Sequence, residues 1–122
     1  MIVAALPIEP RDGDRCWAFH VFNDEREPYD SIVVTQVSYE WGDFGNSAKI
    51  DRRLGPLAPG QSVEVHRETD TEVRTGIVVF VRVGDRERGV YAEVGRLYAP
   101  PRGVEHIPVF GRAGKLAELD EL

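Results

Sequence analysis

Period-two alternation runs through almost the whole chain and leaves little choice of fold class. In RCWAFHVFN (15–23), Trp17, Phe19 and Val21 fall on one face, with Cys16, Ala18, His20 and Phe22 on the other. In SIVVTQVSYEW (31–41), Val33, Val37, Tyr39 and Trp41 share a face. Ser62, Glu64 and His66 alternate with Val63 and Val65. TEVRTGIVVFVRV (71–83) groups Val73, Thr75, Ile77, Val79, Val81 and Val83 opposite Arg74, Gly76 and Arg82, and GVYAEVGRLY (89–98) groups Val90, Ala92 and Val94. Successive strand side chains point to opposite sides, so alternation rich in β-branched residues makes strands with one buried face. PRDGD, NDEREP, GDFGN, APG, ETD and GDRERG supply turns between the runs. The sequence predicts an all-β fold: a two-sheet antiparallel sandwich of about seven strands over residues 1–100, with a C-terminal extension over 101–122 that packs on the domain or mediates contacts. KLAELDEL, at the end, could form a short helix, although its acidic C-terminus opposes the helix dipole.

The 122 residues fit one domain with one core, and 42% hydrophobic with 30% charged residues is the mixture of a soluble globular chain. MIVAALPIEP has no basic n-region, and its apolar run stops at Pro7 and Glu9, too short for a signal peptide or a membrane span. The lone Cys16 excludes an internal disulfide and a cysteine-based zinc site, so a cytoplasmic protein is expected. The net charge is −6 with signs interspersed and no Lys/Arg block, which speaks against nucleic acid as a partner. No membrane partner and no cofactor are expected either.

RLGPLAPGQSVEV (53–65) shows how the chain is punctuated. In APGQ, Pro59 presets the first central position of a turn and Gly60 supplies the positive φ that a type II turn needs at the second, so the turn launches SVEV as a strand. With the Asn of VFN at 21–23, LAPGQSVEV resembles the immunoglobulin-like and fibronectin type III-like sandwiches, especially their small bacterial adhesion- or assembly-type members. The resemblance covers roughly residues 2–98 and implies a protein-interaction or assembly module. The paired cysteines of antibody-type domains are absent.

Catalytic constellations are not evident. His20, His66 and His106 show no HxH or HExxH spacing, and His20 and His66 read as outward-facing strand residues. Cys16 lies four residues from His20, about 13 Å along an extended strand. No P-loop, GxSxG or GxGxxG element is present. We expect no enzyme. Greek-key order gathers PRDGD, GDFGN and RETDTE at one end, so Asp12, Asp14, Asp43, Glu68 and Asp70 make an alternative reading, a calcium- or other divalent-ion-dependent module. Arg11, Arg15 and Arg67 stand ready to neutralise that cluster.

The outward phase is more informative. Phe22, Val78, Phe80, Tyr91 and Leu97 lie opposite the core stripe, and an apolar outer face must be covered. Either VEHIPVFGRAGKLAEL folds back across it, or a protein partner does, a second copy included. These five residues are the expected partner-binding set.

Overall fold

The computed structural model describes residues 1–38, 51–69, 75–95 and 104–122. The strands are β1 (Ile2–Arg11), β2 (Asp14–Phe22), β3 (Ser31–Ser38), β4 (Asp51–Leu54), β5 (Ser62–Thr69), β6 (Thr75–Val83), β7 (Arg86–Gly95), β8 (Glu105–Ile107), β9 (Arg112–Leu116) and β10 (Glu118–Glu121). They form two five-stranded sheets, β5-β2-β1-β9-β8 and β10-β7-β6-β3-β4, with antiparallel pairing throughout. The all-β, two-sheet expectation holds, and among the described residues seven strands lie before residue 96, in line with the alternation.

The end of the chain departs from expectation. KLAELDEL forms no helix: Lys115 pairs with Ala5 of β1, and Leu119 pairs with Ala92 of β7. The edges of β1 and β7 would otherwise present unpaired N–H and C=O groups, and two short strands satisfy both where an acid-ended helix would fray. The chain changes sheet at Ala117, whose N–H donates to the Val3 carbonyl at 2.9 Å.

One core lies between the sheets. Val3, Ala5, Trp17, Phe19, Val21 and Val65 come from the first sheet, and Ile32, Val34, Ile77, Val79, Val81 and Ala92 from the second, all buried. Most of this stripe follows the alternation. In β3, however, Ile32 and Val34 enter the core and Val33 takes the outer face.

β5 holds a second departure. The β2–β5 register shifts between Phe19 and His20: His20 faces Glu64, Phe19 faces His66, and Val65 is the extra residue. This bulge carries His66 and Glu68 to the core side, beside Phe19 and Trp17. His66 is therefore not the outward-facing residue that unbroken alternation predicts, because one inserted residue exchanges the faces of everything after it.

The loops are tied down by specific polar groups. Gly60 adopts φ 78, and the Gln61 N–H donates to the Ala58 carbonyl at 3.1 Å, which closes the expected turn. Asn23 is fully buried: its side-chain amide donates to the carbonyls of Glu27 (2.9 Å) and Leu57 (3.1 Å), and its Oδ1 accepts from the Glu25 N–H (2.9 Å).

Candidate functional site

The two outer sheet faces are finished differently. On the first, Ala4 and Leu6 of β1 pack with Ile107 in a small second core, with Phe110 against it. Phe110 ends a 3-10 turn, Pro108–Phe110, that lies across β2. Its ring meets His20 edge-on at 5.8 Å and Phe22 at 6.1 Å between centroids. Burial lowers the His20 pKa below the ordinary histidine value, outweighing the opposing pull of Glu64. The chain's own tail thus covers this face, Phe22 included.

On the second sheet the outer rows are read from the register. One row runs Arg53, Val33, Phe80, Gly89, and the next runs Asp51, Thr35, Val78, Tyr91, Asp120. Val33, Val78, Phe80 and Tyr91 are half-buried. The two aromatic side chains occupy the space above glycines: a Cβ on Gly89 would stand 2.6 Å from the Phe80 ring, and one on Gly76 would stand 2.2 Å from the Tyr91 Oη. Cross-strand aromatic–glycine pairing fills the place of a missing side chain. Leu122 approaches Gly89, to whose carbonyl its N–H donates at 3.0 Å, and remains 72% exposed.

The expected partner-binding set is therefore divided. Val78, Phe80 and Tyr91 lie together on the second sheet, Phe22 lies on the first beneath Phe110, and Leu97 falls outside the described residues. Sequence reasoning misses Val33 because it assigns β3 to the opposite phase. The directly adjacent Ile32 and Val34 leave either phase apolar.

Of the acidic set, Asp12 is exposed in the two-residue turn Asp12–Gly13, with φ 53 and 81. Asp14 opens β2, while Asp43 and Asp70 lie outside the described residues. Glu68 points inward, its Oε1 2.8 Å from His66 Nε2, with its side chain 3% exposed. Among the described residues no three His, Cys, Asp or Glu side chains are grouped to hold a metal ion.

The His66–Glu68 pair has the form of a catalytic element, since a carboxylate can fix the tautomer and orientation of an imidazole. Here the ring packs against Phe19 at 5.7 Å, and Arg52 of β4 donates to the Val65 carbonyl at 3.3 Å, bridging the open edges of the two sheets. Cys16 lies on the other phase of β2 from Trp17 and Phe19, so the sheet separates its thiol from the His66 ring. The arrangement closes the rim of the core.

A second polar network pins the β2–β3 connection. Arg88 donates to Glu25 Oε1 at 3.1 Å and also to its Oε2, and the buried Tyr29 hydroxyl donates to Oε2. The Arg88 hydrogen bonds hold the Glu25 carboxyl down to about 2, whereas burial and the adjacent carboxylate push the Tyr29 phenol up.

No protein-family model, curated protein or solved structure matches this chain. No helix among the described residues is long and apolar enough to cross a membrane.

Proposed function

We propose that the protein is a non-catalytic interaction or assembly module of immunoglobulin-like type, acting in the cytoplasm and docking through the outer face of β3, β6 and β7. One observation carries this reading. The tail covers the outer face of the first sheet, while the second sheet carries the half-buried Val33, Val78, Phe80 and Tyr91 on its outer rows, with the two aromatic side chains seated over glycines. Such a continuous apolar face on a soluble domain marks an interaction surface.

The strand order supports the superfold part of the reading. Lettered along the chain, β1, β2 and β5 take the places of A, B and E, and β4, β3, β6 and β7 those of C′, C, F and G. The sheet edges argue for a face rather than an edge as the docking element. β5 is bulged, β10 is acidic, and β8 is only three residues long. Each of these features discourages strand addition.

In-cell photo-crosslinking tests the proposal, with a photoreactive residue at Val78 and a control at the exposed Arg67 of the first sheet. A discrete protein adduct is expected from position 78 and none from 67. Adducts from neither site, or equally from both, would refute it.

A further inference from the structure

We propose that residues 105–112 form an acid-released flap: proton uptake by His20 detaches them from the first sheet and bares the apolar outer face of β1 and β2. The flap belongs to the sheet that does not carry the β3–β6–β7 face, so it goes beyond the interaction-module reading and does not depend on it.

The segment is attached at one end only. Among the described residues β8 pairs with β9 alone, and the β9–β1 ladder is confined to Lys115 and Leu116, opposite Ala5 and Ala4. The Gly111 N–H bonds within the segment, to the Ile107 and Pro108 carbonyls at 3.0 and 3.1 Å. Residues 105–112 therefore rest on the sheet through side chains. Ile107 packs on Ala4 and Leu6, Phe110 meets His20 and Phe22, and Arg112 donates to the Pro7 carbonyl. A segment held this way can lift while the β1–β2 and β2–β5 ladders stay closed, as local opening requires.

His20 is the titratable group against the Phe110 ring. Its neighbour on β1 is the apolar Ala4, and its neighbour on β5 is Glu64. That carboxylate already accepts from Arg67, at 2.7 Å from Nε and 3.3 Å from Nη2. The flap itself contributes Arg112. A proton on His20 thus adds a third cation to a group that holds one carboxylate. Burial lowers the His20 pKa below its ordinary 6.5, Glu64 pulls it back up, and Arg112 and Arg67 lower it further. Lifting the flap admits water to the ring and takes Arg112 away, so the open form binds the proton more tightly than the closed one. Opening is therefore independent of pH above about 6.5 and increasingly favoured as the pH falls below it.

Fluorine NMR of the full chain with 4-fluorophenylalanine at position 110 tests this, because a packed and a solvated ring give different fluorine shifts. From about pH 6.5 down to about 5 the solvated fraction is expected to grow by up to about tenfold per pH unit, the limit for one proton. That window lies above the 4.5 at which the Glu25 contribution begins to fade. His20→Gln is neutral at every pH and should hold the solvated fraction constant. His106→Gln, at an exposed position of the flap, should keep the wild-type profile. Circular dichroism should not change across the window in any of the three proteins. A wild-type signal that ignores pH, a rise that survives His20→Gln, or a rise that His106→Gln abolishes would each overturn the proposal. A rise that appears only with loss of the strand signal in circular dichroism would overturn it too, since the whole domain is then unfolding.

Discussion

The ring of Phe80 occupies the space above Gly89 on the adjacent strand, where a Cβ would stand 2.6 Å from it. The contact is closer than any real Cβ tolerates, so an alanine at 89 must push the ring off the face. We predict that Gly89→Ala costs about 1–3 kcal/mol, the usual penalty of overpacking. In the Phe80→Ala background the same substitution should be nearly neutral. A double-mutant cycle by urea denaturation checks this, and additive costs would show that ring and glycine do not share the space.

Asn23 is expected to be among the most sensitive polar positions. It is fully buried, and its side chain bonds Glu27, Leu57 and Glu25. Asn23→Ala leaves two carbonyls and an N–H short of a partner, with an expected loss of about 2–4 kcal/mol at equilibrium unfolding. Asn23→Asp should be no better, since its carboxylate faces the Glu27 and Leu57 carbonyls without a proton to donate.

Acid should act first through Glu25. Its folded value of about 2 lies below the ordinary 4.5, so the unfolded chain takes up the proton first. The stabilisation is full above about pH 4.5 and is lost as the pH falls toward 2. The carboxyl is about one-third exposed, and solvent screening reduces its contribution to about 1 kcal/mol. Glu25→Gln should flatten that limb of the stability–pH curve. An unchanged acid limb would assign acid sensitivity to other carboxylates.

His20 reports on the tail. Phe110→Ala admits water to the imidazole and should raise its pKa toward the ordinary 6.5, measured by NMR titration. While Phe110 is in place, His20 favours its neutral form. Its contribution to stability is therefore complete above about pH 6.5 and declines as the pH falls below it. An unchanged His20 titration in the variant would mean that the tail does not set the environment of that face.

Alternation suffices for the fold class because each error in face costs a whole set of buried side chains. Trp17, Phe19 and Val21, and likewise Ile77, Val79 and Val81, lie where that pattern puts them. It fails where local pattern is degenerate. Ile32, Val33 and Val34 are all apolar, so no phase is marked in β3. Nothing in SVEVHRET signals that Val65 is an extra residue, because a bulge arises from pairing with β2 rather than from the segment itself. The tail is illegible for a related reason. KLAELDEL is a weak helix and a weak strand alone, and two unpaired sheet edges distant in sequence decide the matter. The outer-face candidates are legible as apolar strand residues, but their assignment to different sheets depends on long-range pairing.

The crossing at Ala117 has a consequence for biosynthesis. A ribosome releases β1 well before its second partner, for the strand that completes pairing on one side of β1, and the one that covers the β7 edge, are made after residue 111. Until then β1, with its Val3, Ala5 and Leu6, has a neighbour on β2 only. Closure of the sandwich must therefore wait until nearly all of these residues have emerged, so folding follows their synthesis instead of accompanying it. The nascent chain has to keep an unfinished apolar edge out of contact with its neighbours for that whole interval.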